Sequence, residues 1–316
     1  MPQPDVSPAE DSLILLGLWL KENNYGFVTV TPATHQRVNA RSPVAEAATL
    51  CDIFGWSRPF RRDLLPGHLL QRLERDGVVT RNGGLLRSTV RFSTLANGIY
   101  VHSAYPTETA DAVFFGPDTY RFAALIKRTI RARVPRGGAI IDVGAGSGAG
   151  GIVAALAMDA FSRLTLTDIN PGALPFARVN AALAGISHAE FLHGDLFAPV
   201  QGTADLVVAN PPYLVDAGRR VYRHGGEKLG TELATRIVVE GVPRLASGGV
   251  LILYTGAPIS ASGDVLWNSI ASLVNRSGLA CEYTEIDPDV FGEELARPVY
   301  SSVERIAAVS LVVQKL

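Results

Sequence analysis

The spacing of apolar and polar positions changes near residue 105 of the chain. Before that point, apolar residues recur at helical spacing, and short strand-like runs follow them. After it, short apolar runs typical of buried strands alternate with longer stretches of helical period. The pattern therefore predicts two units, 1–105 and 106–316, and the second should be an alternating α/β domain.

The first unit is predicted to be small and mainly helical. In chain order we expect a helix over 13–20, a proline-containing connection over 30–43, and helices over 45–54 and 64–76. Ser12 is the expected start of the first helix. The turn Asn82-Gly83-Gly84 predicts a β-hairpin between 78–79 and 85–92, and a further strand is expected over 99–105. Helix, turn and hairpin give a winged-helix-like outline, which favours a role in substrate recognition.

The second unit is predicted to be a doubly wound α/β domain with a seven-stranded, mostly parallel sheet. An amphipathic helix that starts near Phe122 and stops at Pro135 precedes the sheet. The predicted strands cover 139–143, 163–168, 189–193, 204–209, 249–255, 281–286 and 306–314. The predicted helices between them cover 149–160, 171–184, 231–246 and 264–278.

A glycine-rich turn follows the first predicted strand of this sheet. The sequence Gly144-Ala145-Gly146-Ser147-Gly148 leads directly into a helix. Glycine permits a tight turn there and lets the backbone approach a ligand closely. Because Gly146, Gly148 and Gly151 also satisfy the dinucleotide pattern G-x-G-x-x-G, the turn alone predicts only a nucleotide-like cofactor.

Polar residues follow the next three strands as well. Asp168 ends the second strand, Asp195-Leu196 follows the third, and Asn210-Pro211-Pro212-Tyr213 follows the fourth. Ligands of open α/β sheets bind beyond the carboxyl ends of the strands. Asp168 could accept hydrogen bonds from two ribose hydroxyls, and Asp195 could accept one from an adenine amino group. We therefore expect these motifs to converge on one site.

In order and spacing, these motifs resemble those of class I S-adenosylmethionine-dependent methyltransferases across residues 110–316. Seven strands with a long last strand are also typical of that class. The resemblance implies that S-adenosylmethionine is the cofactor, and that Asp142 either reaches its methionine end or caps the glycine loop. The residues that the resemblance places at the cofactor are Asp142, Gly144, Ala145, Gly146, Gly148, Asp168, Ile169, Asn170, Asp195, Leu196 and Asn210.

The Asn-Pro-Pro-Tyr motif predicts methyl transfer to a planar nitrogen. Such a nitrogen is a poor nucleophile because its lone pair is delocalised. If the Asn210 side-chain oxygen and the Pro211 carbonyl accept its two N–H groups, the lone pair is localised and the nitrogen is positioned. The prolines stiffen the segment, and Tyr213 is expected to stack on the target. The predicted catalytic residues are thus Asn210, Pro211 and Tyr213.

Within that class, the sequence is most similar to the protein N5-glutamine methyltransferases that modify translation release factors. The shared features are a Pro117-Asp118-Thr119 segment before the first catalytic-domain helix and an aliphatic Leu214 after Tyr213. The chain departs from that family at Gly116, where arginine is expected, and at 219–226, where a Glu-Pro pair is replaced by an arginine-rich stretch. This stretch is either a solvated loop or a clamp for an anionic acceptor. The residues expected at the acceptor are Phe115, Thr119, Arg220, Tyr222 and His224.

Composition and charge set further expectations. The net charge of −1 predicts weak attraction of nucleic acid by the whole molecule, although the arginine-rich segment 54–91 leaves a basic recognition surface open. Cys51 and Cys281 are far apart in sequence, so neither a disulfide framework nor a metal site is expected. Apolar stretches are too short to span a bilayer. Residues 1–5 lack the features of a secretory signal, and a cytoplasmic location is expected.

Several functions remain open at this point. The acceptor of the leading hypothesis is a protein glutamine, an RNA or DNA base, or a small molecule. A second hypothesis is an enzyme that modifies a small molecule, or that cyclises or cleaves S-adenosylmethionine itself. A nicotinamide-dependent oxidoreductase is favoured only by the ambiguous glycine pattern. A winged-helix regulator with a degenerate catalytic domain is a more distant alternative.

Overall fold

The structure is a computed structural model that describes residues 7–41, 46–134, 137–158 and 160–316. Five sequence predictions fall at least partly outside the described residues. They are the absence of a secretory signal at 1–5, the end of the 30–43 connection, the beginning of the 45–54 helix, the helix stop at Pro135, and one position near the end of the 149–160 helix.

Within its described residues, the first unit combines four α-helices with two β-hairpins. In chain order its elements are α1 (Pro8–Glu22), α2 (Pro32–Asn39), α3 (Leu50–Phe54), α4 (Gly67–Arg75), β1 (Val79–Asn82), β2 (Leu85–Ser88), β3 (Val90–Leu95) and β4 (Gly98–Ser103). The predicted hairpin β1–β2 follows α4, and the backbone of Phe60 pairs with Leu86 at its edge. Apolar side chains of α1, α3 and α4 pack with those of both hairpins into one core.

Three helix starts in this unit differ from the prediction. The helix predicted over 64–76 begins at Gly67, because Arg62–Leu64 form a separate 3-10 turn before it. α1 begins at Pro8 and not at Ser12, because Ser7 and Glu10 form a capping box that pattern reading overlooked. Ser12 lies inside the helix, where its buried hydroxyl donates to Asp76 at 2.6 Å. α3 begins only at Leu50, because Thr49 caps it.

Two further elements were missed. The 30–43 connection contains α2, which Thr31 caps and which has Pro32 in its first turn. The single strand predicted over 85–92 is divided between β2 and β3. At the division, the Ser88 hydroxyl bonds the Val90 carbonyl at 2.7 Å and accepts from the Val90 N–H at 3.2 Å, and β3 then pairs with β4 in a second hairpin.

The second unit is a doubly wound α/β domain, as predicted. It begins with α5 (Pro117–Arg133) and contains the strands β5 (Ala139–Val143), β6 (Arg163–Asp168), β7 (Ala189–His193), β8 (Ala204–Ala209), β9 (Leu245–Ser260), β10 (Gly263–Asp264), β11 (Leu279–Asp287) and β12 (Val303–Lys315). Its other helices are α6 (Ala149–Ala157), α7 (Ala173–Leu183), the single turn α8 (Glu227–Gly230), α9 (Glu232–Gly241) and α10 (Val265–Val274).

The strand order is β11-β12-β9-β8-β5-β6-β7, with the short β10 attached to β9. The strands from β7 to β9 run parallel, whereas β12 lies antiparallel between β9 and β11. Side chains of α5, α6 and α7 pack on one face of the sheet, and those of α9 and α10 pack on the other. This arrangement gathers the loops that follow β5, β6, β7 and β8 at one edge of the sheet.

The two units share part of their core. Val179 and Leu183 of α7 belong to the apolar cluster of the first unit, and Gly17 of α1 lies directly against the Leu183 side chain. Glu10 is buried and accepts from Arg178 at 2.7 Å. No helix in the described part of the chain is long and apolar enough to cross a membrane.

Candidate functional site

A cavity of about 430 Å³ lies at the carboxyl ends of β5, β6, β7 and β8. Its size is within the usual range for small-molecule sites. The predicted site residues that line it are Thr119, Asp142, Gly144, Ala145, Gly146, Asp168, Ile169, Asn170, Asp195, Leu196, Asn210, Pro211, Tyr222 and His224. The four sequence motifs therefore meet in one place.

The glycine loop after β5 is shaped by positive φ angles and by Asp168. Gly144 and Gly146 have φ angles of 66° and 53°, which other residues adopt only with strain. One carboxylate oxygen of Asp168 accepts from the Gly146 N–H at 2.7 Å, and the other accepts from Asn170 N–H at 2.8 Å. Burial raises the pKa of Asp168 above its ordinary value. Asp168 thus ties the loop to the end of β6.

Asp142 lies beneath this loop. It is buried and accepts from the Gly151 N–H of α6 at 2.7 Å, so it caps the first turn of the helix that follows the glycine loop and not the loop itself. Asp142 also lines the cavity, so it remains close to a bound cofactor. Burial raises its pKa to about 7.

Asn210 and Pro211 provide two oxygen acceptors at the cavity wall. Neither the Asn210 carboxamide nor the Pro211 carbonyl hydrogen bonds with any other residue in the described ranges. Asn210 is half-buried, and Pro211 is buried. Partly buried polar groups that lack protein partners are suited to bind polar hydrogens of a ligand. This pair is the feature of the cavity that most directly suggests its chemistry.

Tyr213 does not lie where the sequence prediction placed it. Its ring is buried, does not line the cavity, and packs edge-on against Phe291. Its hydroxyl donates to Asp118 at 2.6 Å. In this structure the ring therefore cannot stack on a target in the cavity, and the stacking prediction is corrected.

Three other predicted residues lie outside the cavity lining. Phe115 is fully buried and stacks on His102, while its neighbour Phe114 lines the cavity. The Arg220 guanidinium is paired with Asp216 at 2.6 Å, and this pairing lowers the pKa of Asp216 to about 2. Gly148 is the N-cap of α6, where a Cβ would approach the Leu166 side chain at 3.0 Å. Packing and ion pairing, which sequence spacing does not reveal, explain these differences.

The cavity is also lined by residues that were not singled out individually as site candidates. Arg219 and Val221 belong to the arginine-rich stretch 219–226, and Arg219 has a positive φ of 48°. Arg236 of α9 lines the wall and pairs with Asp195 at 2.8 Å. A helix residue such as Arg236 has no motif of its own, but its spacing of one turn from Glu240 marks the exposed, charged face of α9.

The polar and apolar groups around the cavity are suited to bind an organic cofactor. The described residues contain no group of three His, Cys, Asp or Glu side chains that could hold a metal ion. The backbone of the glycine loop, the carboxylates of Asp142, Asp168 and Asp195, and the apolar Ile169 and Leu196 surround a pocket of mixed polarity. A nucleoside with an attached amino acid requires such a combination.

Comparisons with known proteins agree with this geometry. The sequence model of the family described as "Methyltransferase small domain" matches residues 122–262. Among solved structures, that of Trm5b from Pyrococcus abyssi has a similar fold, with a TM-score of 0.50, 16% identity, and coverage of 75% of this chain and 62% of that one. Fold, site and match together identify the α/β part of the chain, of which residues 122–262 match the family model, as a class I S-adenosylmethionine-dependent methyltransferase domain.

The curated relatives carry a more specific name than the family model does. The chain is 36% identical over 202 residues to the release factor glutamine methyltransferase of Deinococcus radiodurans, covering 60% of this chain and 66% of the relative. It is 37% identical over 142 residues to that of Neisseria gonorrhoeae, covering 40% and 50%. A third relative of this name, from Rhodospirillum rubrum, is 34% identical over 201 residues, covering 58% and 57%. The matched segments thus span about half to two thirds of these relatives.

Proposed function

We propose that this protein transfers the methyl group of S-adenosylmethionine to the side-chain amide nitrogen of a protein glutamine. The observation that carries the proposal is the pair of unpartnered acceptors, the Asn210 carboxamide oxygen and the Pro211 carbonyl, in the same cavity as the glycine loop. A primary amide has two N–H groups on one planar nitrogen, and two acceptors side by side match them. The names of the curated relatives favour a glutamine over other planar nitrogens.

The chain's own residues perform the positioning. S-adenosylmethionine, when bound, supplies an already activated methyl group. Asp168 and the glycine loop would hold its ribose and methionine portion, and Asp195 with the Leu196 backbone would hold its adenine. Asn210 and Pro211 would accept the two amide hydrogens, which localises the nitrogen lone pair and orients it. Because the excess proton can leave after transfer, the residues need not include a tuned general base.

We also propose that residues 1–105 form a substrate-recognition domain. The chain that leaves this unit borders the acceptor side of the cavity, where Val113 and Phe114 are part of its wall. The Tyr222 hydroxyl donates to the Thr107 carbonyl at 2.6 Å, and the Val221 N–H donates to the Ala110 carbonyl at 3.4 Å. An acceptor that enters past Tyr222 would therefore meet the segment that joins the two units.

The test is methyl transfer from radiolabelled S-adenosylmethionine to a translation release factor of the source organism. Asn210→Ala should lower kcat by about 100-fold or more, a loss typical of removing one aligned polar group. Its affinity for S-adenosylhomocysteine should change less than threefold, because the cofactor's other contacts remain. Asn268→Ala, at an exposed position of α10 away from the cavity, is the control and should retain full activity.

Two results would count against the proposal. One is undiminished transfer by Asn210→Ala. The other is a wild-type enzyme that methylates RNA or DNA but not the release factor, with the label on a base amino group. In that second case the planar-nitrogen chemistry would stand and the glutamine assignment would be replaced.

A further inference from the structure

Asp118 is a buried carboxylate outside the cavity lining, with an unusual set of partners. It accepts from the Tyr213 hydroxyl at 2.6 Å and from the Tyr254 hydroxyl at 2.8 Å, and Arg121 approaches it at 3.3 Å. Burial and the Asp118 charge raise the pKa of Tyr213 and Tyr254 well above the ordinary value, so both phenols remain protonated donors. The three groups come from α5, the Asn-Pro-Pro-Tyr segment and β9.

Tyr213 is fixed along its whole length. Its backbone passes close to Gly225 and Gly230, where an added Cβ would lie 2.7 Å from the Tyr213 Cα and 2.3 Å from its carbonyl oxygen. Its ring lies on Gly256, where a Cβ would lie 2.0 Å from a ring carbon. A side chain at any of these three glycines would overlap Tyr213, so the residue is closely packed. Among the described residues, Asp118 is the hydrogen-bond partner of the Tyr213 hydroxyl.

The position of Tyr213 determines the position of the two acceptors. Asn210 and Pro211 precede it in the same segment, and two prolines between Asn210 and Tyr213 restrict the backbone. A displacement of the Tyr213 ring would therefore be transmitted to the Asn210 carboxamide and the Pro211 carbonyl. Such small displacements strongly reduce transfer rates that depend on alignment.

We propose that Asp118 is a positioning residue that acts through the Tyr213 hydroxyl, with Tyr254 as its second support, to hold Asn210 and Pro211 in register with the methyl group. This inference rests on the proposed function, in which Asn210 and Pro211 accept the amide hydrogens. It assigns the tyrosine of the motif a structural link to α5 in place of a contact with the target.

The test uses Tyr213→Phe, which removes the hydroxyl and retains the ring. Tyr283→Phe is the matched control, because Tyr283 donates to Asp264 at 2.7 Å in the same way but lies away from the cavity. Two quantities are measured on the full chain. One is kcat for the release factor, together with KM and S-adenosylhomocysteine affinity. The other is amide hydrogen exchange of Leu214 and Val215, whose N–H groups bond the Arg223 carbonyl and the Tyr300 hydroxyl.

Tyr213→Phe should lower kcat at least tenfold, with KM and S-adenosylhomocysteine affinity changed less than threefold. Amide exchange at Leu214 and Val215 should become at least tenfold faster. Asp118→Asn should likewise lower kcat and accelerate exchange at these two amides. Tyr283→Phe should leave both at wild-type values. Unchanged exchange and kcat in Tyr213→Phe would overturn the proposal. If the wild-type enzyme does not methylate the glutamine acceptor, the proposed function fails, and exchange alone then decides the role of Asp118.

Discussion

Asp142 shows how one buried residue links the cofactor site to the pH dependence of stability. Burial raises its pKa from 3.8 to about 7 in the folded protein. Between these values the folded state therefore binds more protons than the unfolded chain, so the contribution of Asp142 to stability is lost as the pH rises through this window.

Relative to Asp142→Asn, the wild-type protein should lose up to about 4 kcal/mol of unfolding free energy between pH 4 and pH 7. Urea denaturation of both proteins at several pH values measures this difference. The exposed Glu22→Gln serves as a control and should follow the wild-type curve. A constant difference between wild type and Asp142→Asn across the window would contradict the assignment.

At the scale of elements, the end of β9 depends on the segment that follows β8. Gly256 of β9 lies beneath the Tyr213 ring, where an added Cβ would lie 2.0 Å from it. Gly256→Ala should lower the free energy of unfolding by about 1–3 kcal/mol, because neither the strand nor the buried ring can move freely. Gly67→Ala is the control, because the space around Gly67 is open, and it should be nearly neutral. Equal denaturation midpoints for both variants would show that β9 and Tyr213 are not tightly packed.

The same elements show what the sequence could and could not predict. The first four strands of the sheet were predicted to the residue. Three of them, β5, β6 and β8, are short, mostly buried runs that end in a polar motif, whereas β7 has no buried residue. The first unit was predicted less well. Its helices depend on caps such as Ser7 and Thr49, and short helices with weak apolar periods are easily misplaced.

The cavity illustrates the same limit. Strand-end motifs predicted that the segments after β5, β6, β7 and β8 meet, because parallel strands place their carboxyl ends at one edge. The sequence did not predict how each side chain is oriented. Tyr213 turns away from the cavity because Asp118 and three glycines, all distant in sequence, provide a site for its ring.

At the scale of the whole molecule, the two units are joined through α7. The fully buried Asn180 side chain accepts from the Val101 N–H of β4 at 2.7 Å and donates to the Val101 carbonyl at 3.0 Å. Its amide also donates to the Ser147 carbonyl of the glycine loop at 2.8 Å. The first unit is therefore coupled directly to the cofactor site.

This coupling predicts that the chain unfolds in a single cooperative transition. Scanning calorimetry should show one peak, which S-adenosylhomocysteine shifts as a whole to higher temperature because it binds only the folded state. Two peaks, of which only one responds to the ligand, would show that the units unfold independently.

The central claim is that the cavity binds S-adenosylmethionine, and calorimetric titration with S-adenosylhomocysteine tests it most directly. NADH serves as the parallel ligand, and Asp168→Ala as the variant. Micromolar binding of S-adenosylhomocysteine alone, weakened at least tenfold in Asp168→Ala, is the expected result, equivalent to a loss of about 1.4 kcal/mol or more. Tight binding of NADH without binding of S-adenosylhomocysteine would contradict the account and favour an oxidoreductase.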